Sequence, residues 1–274
     1  MKFTVLGATG FIGSHLVKHL REQGHECFVP ARGDPSIFTQ PLGHVIYAIG
    51  LTADFRTRPF DTVRAHVSVL ADVLEKAQFD SFLYLSSTRV YGNSTSAQED
   101  VMLQASPKNP SDLYNLSKLM GESLCLCCGK ANVRVARLSN VYGNDVESEN
   151  FLTSIVRDAL INKHITLHSA LDSSKDYVDI RDVVGILPKI TVAGEGKLYN
   201  VASGINVSNR ELIEKLKQLT NCTVDLSSQA KNISFPAINI SQIKHEFGFV
   251  PTMVVHKLDM LVSTISTAQS RDIP

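Results

Sequence analysis

Tyr114 and Lys118 lie four residues apart in Tyr114-Asn-Leu-Ser-Lys118. On a helix, positions i and i+4 share a face. An ammonium held there lowers a phenol from its ordinary pKa of about 10, so that Tyr114 can exchange a proton near neutral pH. The spacing is common and means little alone. It gains weight from Leu85-Ser86-Ser87-Thr88-Arg89-Val90-Tyr91-Gly92, at the end of an expected strand. Ligands bind at the carboxyl ends of strands in open α/β sheets, and a hydroxyl there can hydrogen-bond a substrate carbonyl or alcohol.

The chain opens on a second chemical feature. An apolar, β-type run over residues 2–6 meets Gly7-Ala-Thr-Gly10-Phe-Ile-Gly13, and a helical pattern starts at once. The first glycine permits a tight turn, and the second lets backbone approach a pyrophosphate. The third lets helix pack close to strand, so that the helix N-terminus faces the anion. Elsewhere these glycines would be a plain turn; between strand and helix they read as a dinucleotide site.

Periodicity supplies the elements that hold these groups. Strands are expected over 2–6, 26–31, 45–50, 82–86 and 133–138, and helices over 11–23, 62–78 and 111–129. Val63, Val67, Leu70, Val73, Leu74 and Ala77 give the second helix one apolar face, and Ser111 or Asp112 is placed to cap the third. The alternation implies α/β architecture: a Rossmann-like, doubly wound parallel sheet with right-handed crossovers. Residues 32–43 are too few for a helix and a strand, so one βαβ unit shrinks to a loop. Past Gly143 the pattern is less regular, with helices expected over 151–162 and 208–219, the latter capped by Asn206 or Ser208. Pro236, Pro251 and short apolar runs suggest a smaller mixed C-terminal substrate lobe. The expected division is 1–145, plus returning segments near 170–205, for the dinucleotide-binding domain, and 146–274 mainly for the lobe. Residues 268–274 read as a frayed end.

At 274 residues the chain can bury one large α/β core or a core with a small appendage. Lys+Arg and Asp+Glu both number 27, which argues against nucleic acid and a membrane surface as partners and leaves anion recognition local. No apolar run is long enough to span a bilayer, and no signal-like segment precedes the first strand, so a cytoplasmic setting is expected. The cysteines Cys27, Cys125, Cys127, Cys128 and Cys222 are odd in number, which argues against a disulfide framework. Cys125, Cys127 and Cys128 fall in a helical pattern where i, i+2 and i+3 do not converge, so no metal is expected.

Further patches follow in order: Val45-Ile-Tyr-Ala-Ile-Gly50, Arg137-Leu-Ser-Asn-Val-Tyr-Gly143, Lys175-Asp-Tyr-Val-Asp-Ile-Arg-Asp182 and Tyr199-Asn-Val-Ala-Ser-Gly204. With the glycine loop, the Ser86-Ser87-Thr88 patch and Tyr114/Lys118, they resemble an extended short-chain dehydrogenase/reductase. The resemblance is to the NAD-dependent epimerase/dehydratase family, nucleotide-sugar branch, over about residues 1–215.

That resemblance implies roles. Tyr114 is the acid/base, and Lys118 lowers its pKa and holds the nicotinamide ribose. Ser87 is the family's Ser/Thr, with Ser86 and Thr88 as weaker substitutes. Gly7, Thr9, Gly10, Phe11 and Ile12 line the pyrophosphate, Ala48 and Gly50 the adenosine side, and Leu138 and Ser139 the nicotinamide side. Ser87, Thr88, Asn140 and Lys175 face the substrate, the last two at its diphosphate. A homodimer through a four-helix bundle of helices 62–78 and 111–129 is also implied. Leu119, Leu124, Leu126 and Cys127 are its candidate contacts, though the same residues could face the monomer's own core.

Departures from the family pattern narrow the chemistry. His66-Val67 replaces Asn-Val, and His66 reads as a structural replacement. Lys175 replaces an Arg, leaving a point charge without bidentate geometry. The second strand ends Ala31-Arg32-Gly33 with no acidic residue to grip a ribose 2′-OH. Arg32 suits the 2′-phosphate of NADP, while Asp34 could still reach a ribose. NADP(H) is therefore favoured, with NAD(H) left open. Family dehydratases carry Asp-Glu after the catalytic Ser/Thr; Thr88-Arg89 here disfavours dehydration and decarboxylation. Two hydride chemistries at C4 of a nucleotide-linked hexose remain: NADPH-dependent 4-keto-sugar reduction, which is favoured, and NAD-dependent 4-epimerisation. Reduction of a non-sugar ketone would need an apolar substrate pocket. A non-catalytic cofactor-sensing regulator would not need the intact Ser–Tyr–Lys set.

Overall fold

The computed structural model describes every residue except 53, 144–147, 149 and 272–274. The chain begins β1 (Lys2–Leu6), α1 (Phe11–Glu22), β2 (Glu26–Phe28), β3 (His44–Tyr47). One long helix follows in three pieces: α2 (Pro59–Val63), a π-turn over Arg64–Ser68, and α3 (Val69–Lys76). Then come β4 (Ser81–Ser87), α4 (Asp112–Cys127), β5 (Val133–Leu138), β6 (Asn140–Tyr142), α5 (Phe151–Ile161), β7 (His164–Ser169) and β8 (Ser174–Asp179). The remainder is α6 (Ile180–Ala193), β9 (Leu198–Val201), β10 (Asn206–Ser208), α7 (Asn209–Thr220), β11 (Thr223–Lys231), α8 (Ser241–Phe247) and α9 (Leu258–Arg271).

Six parallel strands form the main sheet in the order β2-β1-β3-β4-β5-β9. The order reverses between β1 and β3, and the crevice at such a switch point is where open α/β sheets take ligands. Alternate strand residues feed two apolar layers. Leu83 and Leu85 of β4 join Val5, Ile46, Leu16 and Leu187 beneath α1 and α6. Phe82 and Tyr84 join Val45, Tyr47, Leu70 and Val73 beneath α3 and α4. The sheet is thus wound on both faces, as the alternation of elements requires.

Local chemistry explains where elements differ from expectation. β2 stops at Phe28 because Pro30 has no N–H for the ladder. The shrunken crossover is one 3₁₀ turn (Pro35–Phe38), capped by Asp34 Oδ1, which accepts from the Ser36 N–H at 2.9 Å. Pro59 starts the long helix three residues earlier than expected, in the first turn where proline is tolerated. The cap expected on α4 is not made. Ser111 occupies the position without a side-chain bond, and Asp112 accepts instead from the Ser106 N–H (2.9 Å) and Asn115 Nδ2 (3.0 Å). Ser208 does cap α7, in a reciprocal box with Glu211.

The second half builds a three-stranded sheet, β10-β8-β6, and a two-stranded parallel one, β11-β7. α5, α7 and α9 close over Leu152, Ile155, Ile165, Leu212, Leu216 and Leu258. α6 and β9 return to the main sheet, and so does the stretch holding α8, whose Ile240, Ile243 and Phe249 enter the core beside Tyr199 and Val201. The expected boundary at 145/146 lies outside the described residues. α9 runs as helix to Arg271, beyond where a frayed end was expected, and 272–274 lie outside the described residues. No helix among the described residues is long and apolar enough to cross a membrane.

A buried polar network binds α4 to the sheet. Arg137 of β5 pairs with Glu122 of α4 at 2.6 Å, both side chains 4% exposed or less. Ser86 Oγ donates to Glu122 Oε1 (2.5 Å), and Arg137 Nη1 donates to Tyr91 Oη (2.7 Å). Tyr91 in turn donates to Asn200 Oδ1 (2.8 Å) on β9. Removing one partner strands a buried charge. Glu122→Ala is therefore expected to lower unfolding free energy by about 3–5 kcal/mol in chemical denaturation. A loss under about 1 kcal/mol, ordinary for a surface pair, would contradict this account of the network.

Candidate active site

The glycine loop leaves β1 through Gly7 at φ +90°, a left-handed conformation that favours glycine. A Cβ on Gly7 would lie 2.7 Å from the Ala48 carbonyl carbon, and one on Gly13 would lie 2.3 Å from the Gly7 carbonyl oxygen. Those two glycines are required by the protein's own packing. Gly10 is not: its Cβ would meet only the Gly7 oxygen at 3.5 Å. It caps α1 without any side-chain bond, and no acidic residue lies in the first helical turn. The leading N–H groups of α1 therefore face an open cradle suited to a phosphate group. Ala48 and Gly50 adjoin it at the end of β3, and Ser139 Oγ beyond β5 is buried without a partner among the described residues. These features fit a dinucleotide lying across the switch point.

Ser87, at the end of β4, lies beside Tyr114, near enough to act on its phenol. Tyr114 is 5% exposed. Burial raises its pKa above the ordinary phenol value, opposed by the neighbouring Ser87 and then by the charge of Arg89. Lys118 lies on the same helical face. Its Nζ donates to the Leu85 carbonyl oxygen at 2.9 Å and sits 6.0 Å from the Tyr114 ring centre. Complete burial pushes Lys118 itself down to about 7, with Glu122 opposing.

His66 lies in the π-turn, fully buried. Its Nε2 accepts from the Leu51 N–H (3.2 Å), so Nδ1 carries the proton and donates to Ser117 Oγ at 2.8 Å. Ser117 donates onward to the Tyr114 carbonyl oxygen (2.8 Å). The imidazole also meets the Tyr114 ring edge-on, centres 5.3 Å apart. It ties the loop after β3 to α4, beside Gly50 and Lys118. Burial and Lys118 push His66 down to about 2, so it is neutral at physiological pH.

The residues expected to face substrate gather less tightly. Thr88 is buried. Asn140 Nδ2 is held by the Asp176 carbonyl oxygen at 2.7 Å, leaving one amide donor free. Lys175 Nζ lies 5.2 Å from the Phe151 ring, and burial, then Arg89, lowers its pKa. Arg32 is exposed in the turn after β2. Sequence reasoning missed Arg89 and Phe55: the Arg89 guanidinium lies 4.9 Å from the Phe55 ring centre and 5.6 Å from that of Tyr114. The signal was present in Thr88-Arg89, read only as a missing acid. It also missed Asp176, whose carboxylate accepts from Ser203 N–H (2.9 Å) and Oγ (2.8 Å) and the N–H groups of Gly204 (2.7 Å) and Ile205 (3.1 Å).

Residues 3–202 match the family described as "NAD dependent epimerase/dehydratase family". The chain belongs to that family. Its enzymes are NAD(P)-dependent and of the extended short-chain dehydrogenase/reductase type. A GDP-6-deoxy-D-mannose reductase of Pseudomonas aeruginosa is 30% identical over 249 residues, 81% of each chain. A human dTDP-D-glucose 4,6-dehydratase is 27% identical over 155 residues, 55% of this chain but 43% of that enzyme. Among solved structures, MoeE5 in complex with UDP-glucose and NAD superimposes with TM-score 0.81 at 20% identity, covering 98% of this chain and all of that one. RMD from Pseudomonas aeruginosa complexed with NADPH gives 0.78 at 24% identity, covering 97% and 99%. At those identities the structures speak for the fold.

The His66 geometry has a measurable consequence. Its folded-state pKa of about 2 lies below the ordinary 6.5, so unfolding takes up a proton between those values. Stability therefore falls as pH drops below about 6.5, and His66→Asn is expected to remove up to about 1.4 kcal/mol per pH unit of that slope. Denaturation midpoints of the two proteins between about pH 4 and 7 provide the check. Parallel curves would rule the effect out.

Proposed function

We propose that this protein is an NADPH-dependent reductase acting at C4 of a nucleotide-linked 4-keto hexose. The observation that carries the reading is Arg89 beside Tyr114, at the place where dehydration would need a carboxylic acid. The reductase from Pseudomonas aeruginosa that aligns over 81% of both chains supports it. When bound, the cofactor supplies hydride to the carbonyl carbon. Tyr114 gives its phenolic proton to the carbonyl oxygen, and Ser87 holds that oxygen. Lys118 would hold the cofactor ribose. Thr88, Lys175 and the free Asn140 donor hold the substrate, the last two at its diphosphate, with Lys175 a point charge rather than a fork.

The cofactor preference rests on the turn after β2. Asp34 is engaged as a helix cap, while Arg32 has no ion pair among the described residues. NADPH is expected to bind at least tenfold more tightly than NADH, with Arg32→Glu reversing that order, as judged by fluorescence titration. Oxidation of NADPH should then follow addition of one member of a panel of GDP-, UDP- and dTDP-linked 4-keto hexoses. NAD+ released only on denaturation, detected by mass spectrometry, would defeat the reductase reading in favour of a 4-epimerase.

We further propose a homodimer through α2/α3 and α4. Phe60 (76% exposed) precedes Val63 and Val69 on one helix, and Met120 (55%) and Leu126 (43%) lie on the other. Cys127 is exposed beside them, whereas Leu119 and Leu124 pack largely on the chain's own core. Light scattering is expected to give twice 30.1 kDa for the wild type and a monomer for Met120→Glu. A wild-type monomer at micromolar concentration would refute this proposal.

A further inference from the structure

We infer that the sugar carries an anionic group of its own, a carboxylate bound by the guanidinium of Arg89, and is therefore a nucleotide-linked hexuronate. The inference deepens the proposed reductase reading and rests on it.

Arg89 stands on the 3₁₀ turn after β4, two residues beyond Ser87. Its backbone N–H donates to Ser87 Oγ at 3.2 Å. Its guanidinium lies 4.9 Å from the Phe55 ring centre and 5.6 Å from that of Tyr114. The residue is half-buried, yet its side chain makes no hydrogen bond or ion pair among the described residues. A guanidinium brings five N–H donors and a permanent charge. Withdrawing such a group from water without a partner is costly, and proteins ordinarily pair it. Here the fold uses none of the five donors, and they lie beside the candidate acid/base.

No acid nearby serves them. The Arg56 guanidinium lies 4.4 Å from the same Phe55 ring, so two arginines flank one buried aromatic. Arg56 is tied to Ser111 Oγ at 3.1 Å. Lys175 of β8 is near enough to Arg89 for their charges to repel. Asp112 is engaged by the Ser106 N–H and by Asn115 Nδ2. Like charges gathered without a carboxylate between them favour the entry of an anion.

Position selects which anion. In the proposed reaction Lys175 and Asn140 take the diphosphate, while Ser87 and Tyr114 take the oxygen at C4. Arg89 adjoins Ser87 and Tyr114, so the group it reaches is carried on the sugar close to C4. A methyl or hydroxymethyl group there offers no charge to a half-buried guanidinium. A carboxylate at C6 offers two oxygens to the planar fork. Hydride and proton add across the C4 carbonyl, and the carboxylate is unchanged by the reaction. A 4-keto hexuronate is also a β-keto acid, which loses CO2 as the carboxylate electrons pass into the adjoining enolate. An ion pair that holds charge on the carboxylate opposes that loss, so Arg89 both selects the group and preserves it.

The test is calorimetric titration of the protein saturated with NADPH, which cannot oxidise the sugar. The probes are pairs that differ only at C6: UDP-glucose and UDP-glucuronate, GDP-mannose and GDP-mannuronate, dTDP-glucose and dTDP-glucuronate. In at least one pair the hexuronate is expected to bind about tenfold or more tightly than the hexose. Arg89→Met should erase that ratio by weakening the hexuronate. Arg89→Lys should keep part of it, and it covers the case in which Arg89→Met does not fold. Equal binding of hexose and hexuronate by the wild type overturns the inference. So does an Arg89→Met variant that weakens both members alike, which would place Arg89 at the diphosphate. Binding of no member of any pair would overturn the nucleotide-sugar reading itself.

Discussion

The buried pair between Glu122 and Arg137 is the constraint from which the site's geometry descends. Tyr114, Lys118 and Glu122 lie at successive i+4 positions on α4, so anchor and chemistry share one stripe. The buried face of this helix is mainly polar: Asp112, Asn115, Ser117, Lys118 and Glu122 are all below 6% exposure. Such a helix is held in place by partnered polar groups more than by apolar burial. Each partner sits on a different element: Arg137 on β5, Ser86 on β4, His66 on the π-turn, and the Leu85 carbonyl on β4. Rotating α4 by a fraction of a turn would break all of them together. That shared anchoring sets where α4 presents Tyr114 to the end of β4.

Close approach is the second half of the same constraint. Gly121 precedes Glu122, and a Cβ there would lie 2.5 Å from Tyr84 Oη and 2.8 Å from the His66 carbonyl oxygen. Only glycine lets α4 settle deeply enough for Glu122 to reach Arg137. The π-turn over Arg64–Ser68 answers from the other side. The bulge turns His66 inward, where it reaches the Leu51 N–H and Ser117 at once. π-Bulges concentrate at functional sites because they redirect one side chain without ending the helix.

Sequence legibility divides along the range of the interactions. The strand–helix alternation, the glycine turn and the truncated crossover after β2 depend on neighbours within a few residues and were readable; of the two caps offered for α7, Asn206 and Ser208, the structure uses Ser208. The return of residues 238–249 to the main core was not, because Ile240 and Phe249 meet β9 only through tertiary packing. The π-turn was hidden because one inserted residue scarcely alters the apolar period around it. The missing cap on α4 shows a long-range competitor winning, since the carboxylate of Asp112 serves Ser106 instead. Within the candidate site, Tyr114, Ser87 and the glycines were visible as types at a spacing. The electrical state of Lys118 was not, because it follows from burial.

Burial shapes the charges around the candidate site of a chain whose acidic and basic residues are equal in number. Burial works against the cations here: it neutralises His66, weakens the hold of Lys118 on its proton and lowers Lys175. A site built from lysine and histidine alone would drift toward neutrality as its walls closed. Burial lowers the pKa of Arg89 as well, yet a guanidinium stays charged in proteins, and this one lies against two aromatic faces, Phe55 and Tyr114.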